Sequence, residues 1–504
     1  MTALALSAQA DRLAESGRMA EAQQAYRAAL ALDRTFAPAA LGLAHLLLWS
    51  KRPAEAAEAL APLAALASAP AQALDLHVRA LVGAGRPEDA LPFSRRAAAA
   101  GAPHARLGSA QLAAELGRFA EAEADFRAVL ARDPADERAR RGLARAIFAG
   151  PLGMDGALAT VDEGLARGWT PNLAMFKASL LNQAFRPAEA YAVLRDALER
   201  GPGGAELHAA AAGAAALNHR PAEALTHAEA ARSLAPDHPE IAILLAEACL
   251  CAGQPERAAA ILEPLRRQSP FDPKLIALCA TAMRLLGQDE AYGALYDYGR
   301  LVRTYTLEPP KGWYSLEGFL SDLAGRLNAL HDGAGATLDQ SVRGGTQTTV
   351  KLANVADPVL EALLQALEAP IARYVAKLGR SADAYGEPLM ARSTGAFAIG
   401  GAWSVRLAPG EGRHVNHIHR EGWLSSAFYV ALPGAMSDDT GEDGWIQFGA
   451  PNLPTVPALP AEHRVRPEPG LLVLFPSYMW HGTTPFGGTE RRLTFAFDVI
   501  PIAK

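Results

Sequence analysis

The sequence predicts a multidomain chain: an all-α superhelix of repeated helix pairs, followed by an all-β double-stranded β-helix, or jelly roll, with flanking helices. Three observations predict it. A turn followed by a helix start recurs about every 34 residues through the first three hundred positions. Near residue 300 the composition shifts from Ala and Leu to Gly, Pro, Trp, Phe and Val. Beyond that point short apolar runs alternate with Gly, Pro and Asp clusters, the pattern of strands and turns. A length of 504 residues also exceeds one ordinary core, so several domains are expected.

The repeat reads Gly17-Arg18-Met19-Ala20-Glu21-Ala22, then Lys51-Arg52-Pro53-Ala54-Glu55-Ala56, then Gly85-Arg86-Pro87-Glu88-Asp89-Ala90, then Gly117-Arg118-Phe119-Ala120-Glu121-Ala122. Weaker copies end at Ala157, Ala190, Ala224, Ala258 and Ala291, so successive terminal alanines stand 32 to 35 residues apart. Gly is suited to the left-handed cap that ends one helix, and Pro to the start of the next, where no N–H is needed. The small residue after the acidic one lets two helices approach. Each hairpin buries its apolar stripe only against its neighbours, so the units stack. Residues 1–300 therefore resemble the tetratricopeptide family, in about nine copies. The resemblance implies a concave groove that binds a protein or peptide; a rigid spacer or dimerisation arm is the other reading. His77, His104, His208, His219, His227 and His238 are scattered through the array and read as surface or packing residues.

Residues 301–335 read as a helical connector. Glu308-Pro309-Pro310 breaks helix, and Leu316, Phe319, Leu320, Leu323, Leu327 and Leu330 give one amphipathic helix. Residues 336–504 carry the strand signals. Phe397–Ile399, Trp403–Val405, Ser426–Val430, Trp445–Phe448, Leu471–Phe475 and Leu493–Phe497 are expected strands, and Gly344–Thr348 a polar loop without a packing role. Asp438, Asp439, Glu442 and Asp443 read as a solvated turn.

Bulk properties exclude some function classes. A net charge of −6 offers no basic face for nucleic acid. No run approaches the roughly 18 uninterrupted apolar residues of a membrane span, and Met1-Thr2-Ala3-Leu4 opens no signal peptide. Cys249, Cys251 and Cys279 are sparse and lack metal-ligand spacing, so buried free thiols and a reducing, cytoplasmic setting are expected.

The chemistry gathers on the strands. His414, His417 and His419 fall within six residues of a chain with 13 histidines, a density that signals metal. His417 and His419 are two apart and share a strand face. His414, three before His417, would turn away on an unbroken strand. His481 follows the apolar run after Pro469-Gly470. Arg491 and Arg492 open the next run, and a guanidinium pairs a carboxylate bidentately. Alternation puts Arg492 with Thr494 and Ala496 on one face and Arg491 outside. Two close nitrogen ligands, a distant third and an arginine one strand on are what a site for a metal and a keto-dicarboxylic acid requires.

His417-Ile418-His419, Trp423-Leu424-Ser425 through Tyr429, Gly444–Phe448, Pro469-Gly470 through Ser477, His481 and Arg492 together resemble the bacterial and phage 2-oxoglutarate–iron(II) oxygenases, relatives of the prolyl hydroxylases. The resemblance covers about Ser341 to Pro501. It implies Fe(II) on His417 and His481, and 2-oxoglutarate as co-substrate, with its C5 carboxylate on Arg492 and a hydrogen bond from Tyr429. Ascorbate would serve as an accessory reductant. Gly344–Thr348 matches a Gly-Gly-Thr-Gln-Thr stretch of the family whose role is unassigned. One departure stands out: His419 occupies the place of the Asp or Glu in the hydroxylase His-x-Asp/Glu motif. The third ligand is then His419, or alternatively Glu421. The expected activity is a dioxygenase that hydroxylates a protein or peptide side chain brought by the repeats, whose jelly roll would turn over 2-oxoglutarate even without residues 1–300. The alternatives are a metal enzyme that does not use 2-oxoglutarate, and a repeat-based binding module with an inert oxygenase fold.

Overall fold

In a computed structural model of the chain, the residues described are all but 103, 151, 202, 333–340, 349–351, 353, 354, 356, 437–440, 503 and 504. The expected boundary at 335/336, and Asp438 and Asp439 of the acidic run, lie outside them. The described residues divide into two compact units, Met1–Gly168 and Trp169–Lys504. The first holds five helix pairs, from Ala3–Glu15 to Gly153–Arg167; the second opens with four more, from Pro171–Gln183 to Asp289–Leu295. No helix among the described residues is long and apolar enough to cross a membrane.

The repeat motif explains its own turn. Pro53, Pro87, Pro187, Pro221 and Pro255 each occupy the first turn of the second helix of a pair. Two residues earlier stands a left-handed residue: Gly85 and Gly253 at φ +75° and +68°, but also Lys51, Phe185 and His219 at +53° to +56°. The motif arginine pairs with the acid three residues on, as in Arg52–Glu55 and Arg186–Glu189, both at 2.6 Å; exposed pairs of this kind contribute under about 1 kcal/mol. Small residues admit close packing. A Cβ on Gly42 would strike the Tyr26 ring and one on Gly142 the Phe126 ring, so the aromatic of one helix seats against the bare backbone of the next.

A non-glycine residue in the left-handed region costs roughly 1–2 kcal/mol. Lys51 and His219 are exposed, so glycine there loses little packing. Lys51→Gly and His219→Gly should each stabilise their unit by about 1 kcal/mol once glycine's greater unfolded freedom is set against the relieved strain. Denaturant midpoints check this; a fall in midpoint would mean that those side chains hold the turn.

Among its described residues the second unit continues into eleven strands: β1 (Arg303–Thr306), β2 (Val342–Arg343), β3 (Gly345–Gln347), β4 (Phe397–Leu407), β5 (Arg413–His414), β6 (Leu424–Ala431), β7 (Ile446–Phe448), β8 (His463–Val465), β9 (Leu471–Pro476), β10 (His481–Thr483) and β11 (Arg492–Pro501). They form a six-stranded sheet in the order β1-β9-β6-β11-β4-β3, a three-stranded sheet β10-β7-β8 and the pair β2-β5, with antiparallel ladders throughout. This is the expected jelly roll. Helices Leu316–His331 and Pro358–Leu378 flank it, contributing Phe319, Leu323, Leu327, Leu363, Leu367 and Ile371 to the core.

Four expectations are corrected. Arg303–Thr306, inside the segment read as helical, is a strand, because its backbone completes the edge beside β9. Gly344–Thr348 is not a free loop: β3 pairs with β4, Gly345 leaves no room for a Cβ beside the Arg406 carbonyl, and Thr348 Oγ1 accepts from Ser404 N–H at 3.0 Å. The runs 397–399 and 403–405 are one strand, with the register shifting opposite Asp498 and Val499. The jelly roll also does not stand apart from the repeats of its own unit, residues 169–300. One continuous core runs from Ala212 through Leu262, Ile276 and Leu295 to Phe428, Phe475 and Phe497. Trp480 Nε1 donates to Thr281 Oγ1 at 3.1 Å, Tyr478 hydroxyl to the Leu295 carbonyl at 3.0 Å, and Tyr296 hydroxyl to the Tyr478 carbonyl at 3.1 Å. A cut at residue 300 would open this core.

A chain starting at Trp169 should therefore melt cooperatively, whereas one starting at residue 301 should not. Circular dichroism melts of both decide the point, and a cooperative transition in the shorter chain would contradict it.

Candidate metal centre and co-substrate pocket

The turn after β9 and the segment between β5 and β6 lie side by side. His417 N–H donates to the His481 carbonyl at 2.8 Å, His481 N–H returns to the His417 carbonyl at 3.0 Å, and His419 N–H donates to the Ser477 carbonyl at 3.0 Å. Residues 64 positions apart in sequence are thus fixed by main-chain pairing, and the anchored Tyr478 and Trp480 hold His481 from behind.

The ring nitrogens then sort themselves. His417 Nδ1 lies 2.8 Å from the Val415 carbonyl, His481 Nδ1 2.8 Å from the Met479 carbonyl, and His419 Nδ1 2.6 Å from Asp498 Oδ1. Each partner only accepts, so each Nδ1 carries the proton and each Nε2 presents a lone pair. His417 Nε2 and His419 Nε2 face each other at 3.2 Å. Two lone pairs at that distance repel unless a cation lies between them. One ring nitrogen from each of His417, His419 and His481 lies within 4.8 Å of the others. Burial first, and then the facing His419, hold the His417 imidazole down to about 3; burial, with the neighbouring histidines, also pushes His481 well below its usual value. Neutral imidazole is the metal-binding form.

The triad opens into a cavity of about 540 Å³, also lined by Trp403, His414, Glu421, Ile446, Phe475 and Arg492. On β11 the side chains of Arg492, Thr494, Ala496 and Asp498 all face it. Arg492 is 2 % exposed and Arg491 is exposed, the alternation expected. The Arg492 guanidinium lies over the Tyr429 ring, 5.1 Å from its centroid, and Nη1 donates to the Gly444 carbonyl at 2.7 Å. Its Nε and the Tyr429 hydroxyl are buried without a partner. Burial lowers the guanidinium and raises the phenol. A buried cation whose side chain has only a carbonyl partner among the described residues, next to an orphaned hydroxyl, fits the carboxylate of a bound acid.

Residues 401–498 match the family described as "Putative 2OG-Fe(II) oxygenase", while tetratricopeptide repeat families match residues 13–79, 103–136 and 215–282. The family models thus show tetratricopeptide repeats in the first three hundred residues and a "Putative 2OG-Fe(II) oxygenase" domain near the C-terminus. No curated protein sequence matches it. Among solved structures it is similar to a tetratricopeptide protein from Parabacteroides merdae, at 17% identity over 48% of this chain and 97% of that one, TM-score 0.32. It is also similar to a prolyl-4-hydroxylase from Pseudomonas putida, at 14% identity over 42% of this chain and 99% of that one, TM-score 0.28. A thermophilic tetratricopeptide protein from Thermus thermophilus is 27% identical over 36% of this chain and 97% of that one, TM-score 0.29.

His417, His419, His481 and Arg492 line one cavity, and Tyr429 packs against the Arg492 guanidinium without lining the cavity itself. Glu421, the alternative third ligand, is an exposed residue at the cavity's edge, outside the converging nitrogens. His414 corrects the strand argument. It sits on the short strand β5 rather than on an unbroken strand, lines the cavity, and stacks on His417 with centroids 5.8 Å apart. Asp498 and Ser425 were missed. Continuing the alternation of β11 by two residues would have found Asp498. In the array, Cys249, Cys251 and Cys279 are buried free thiols as expected. His208 and His227 are not scattered, their Nδ1 atoms lying 3.3 Å apart.

Proposed function

We propose that the protein is an iron(II)- and 2-oxoglutarate-dependent dioxygenase that hydroxylates a side chain of a protein or peptide recruited by its repeats. The observation that carries this reading is the juxtaposition, in one cavity, of three inward-facing imidazole nitrogens and a buried, uncompensated arginine. Bound together, iron(II) and 2-oxoglutarate supply oxygen activation coupled to oxidative decarboxylation of the keto acid. The protein's own part is positioning. His417, His419 and His481 would hold the metal, each ring fixed by its Nδ1–H bond. Arg492 and Tyr429 would grip the far carboxylate. Trp403, Ile446 and Phe475 keep apolar surface along the cavity wall and so limit water there.

Contacts at and beside the cavity support a recruiting role for the repeats. Arg420, which lines the cavity, pairs at 3.2 Å with Glu240 of the repeat helix Pro239–Cys251. Arg343 and Arg413 lie over the ring of Phe185, from a repeat turn, at 5.6 and 4.9 Å. A chain lying on those repeats would reach the opening directly.

Calorimetric titration of 2-oxoglutarate into Co(II)-loaded protein under argon tests the pocket. Binding should require the metal and be lost in Arg492→Ala. Equal binding with and without metal would refute the joint site.

A further inference from the structure

Three neutral imidazoles leave the full double charge of a divalent ion uncompensated, and Arg492 adds another positive charge to the same cavity. The environment of the three rings is uneven. Two direct Nδ1–H to neutral carbonyls of Val415 and Met479, but the third, on His419, meets the carboxylate of Asp498 at 2.6 Å. That carboxylate is built in. Its Oδ1 also accepts from Ser425 Oγ at 2.8 Å, and Ser425 Oγ in turn lies 2.9 Å from Ser477 Oγ. Both serines are buried, and the Asp498 side chain is only 17% exposed. The β11–β4 register shifts next to Asp498, the kind of irregularity that re-aims a side chain.

We infer that Asp498 is the anionic positioning residue of this metal site: held on His419 Nδ1, its carboxylate sits one imidazole farther out than a carboxylate ligand would and supplies the same negative charge through the ring. The inference rests on the three-histidine reading above. It accounts for the departure at His419. A carboxylate is retained, but relayed. The charge makes His419 Nε2 the strongest donor of the three, and the short charge-assisted bond fixes its tautomer and plane.

The test is Co(II) titration of the full chain under argon, followed by visible absorbance, for wild type, Asp498→Asn, Ser425→Ala and His417→Ala. Asparagine can still accept from Nδ1–H, so it keeps the ring's orientation and removes only the charge. Asp498→Asn should weaken Co(II) binding about 10- to 100-fold and shift the Co(II) absorption envelope. Ser425→Ala keeps the charge but removes one of the two hydrogen bonds to Asp498 Oδ1, and should weaken binding by a smaller factor. Wild-type affinity and spectrum in Asp498→Asn would overturn the inference; if that variant does not fold, wild-type affinity in Ser425→Ala would do so. Loss of Co(II) in His417→Ala with wild-type binding in Asp498→Asn leaves the triad standing and removes only the role of Asp498. A wild-type protein that binds no Co(II) overturns both.

Discussion

Replacing Arg492 by alanine should raise the Michaelis constant for 2-oxoglutarate by roughly 30-fold to beyond a thousandfold while iron stays bound. Leaving one charge of a buried pair without its partner costs on the order of 2–5 kcal/mol, and each 1.4 kcal/mol is about tenfold. Here Arg492 is 2 % exposed, and the only hydrogen bond of its side chain among the described residues goes to the Gly444 carbonyl. A bound carboxylate would therefore lose its main counter-charge. Arg492→Lys keeps the charge without the planar fork and should fall between wild type and Arg492→Ala. Arg491→Ala, on the exposed neighbour, should behave as wild type. Titrating 2-oxoglutarate at fixed iron, with succinate as the readout, separates the three. A damaging Arg491→Ala with a neutral Arg492→Ala would place the carboxylate on the other face of β11.

His417→Ala and His481→Ala should each abolish stoichiometric metal binding. A site of three nitrogens worth on the order of 10 kcal/mol loses about a third of its donors with each ring, which is more than a hundredfold in affinity. The fold should survive, because the main-chain bonds between residues 417 and 481 do not involve the side chains. Elemental analysis after dialysis, beside a thermal melt, checks both parts. Full metal content in either folded variant would remove that residue from the ligand set.

The fold is most legible in the sequence where the physics is local. A helix pair needs a left-handed turn, a helix opener and a small contact residue at fixed offsets, so the repeat was legible from spacing alone. Lys51, Phe185 and His219 show its limit: each takes the conformation of the motif glycine without being one, because the surrounding turn dictates the backbone. On β11, two-residue alternation sorted Arg492 from Arg491, since a buried face and a solvent face leave no other choice. What stayed hidden is tertiary. Nothing near Asp498 in sequence points to His419, 79 residues away, and the alternation argument fails at His414 because the strand carrying it, Arg413–His414, ends at that residue. The shared core from Ala212 to Val499 was equally out of reach. A change of composition marks where strands begin, but not which helices they pack on.

Succinate formed from 2-oxoglutarate by the purified protein, with iron(II), ascorbate and oxygen, is the most direct measure of whether this cavity is an oxygenase site. Production by wild type at several turnovers per protein, lost in His481→Ala and in the absence of iron, is the expected result. A wild-type protein that binds iron yet forms no more succinate than His481→Ala would contradict it.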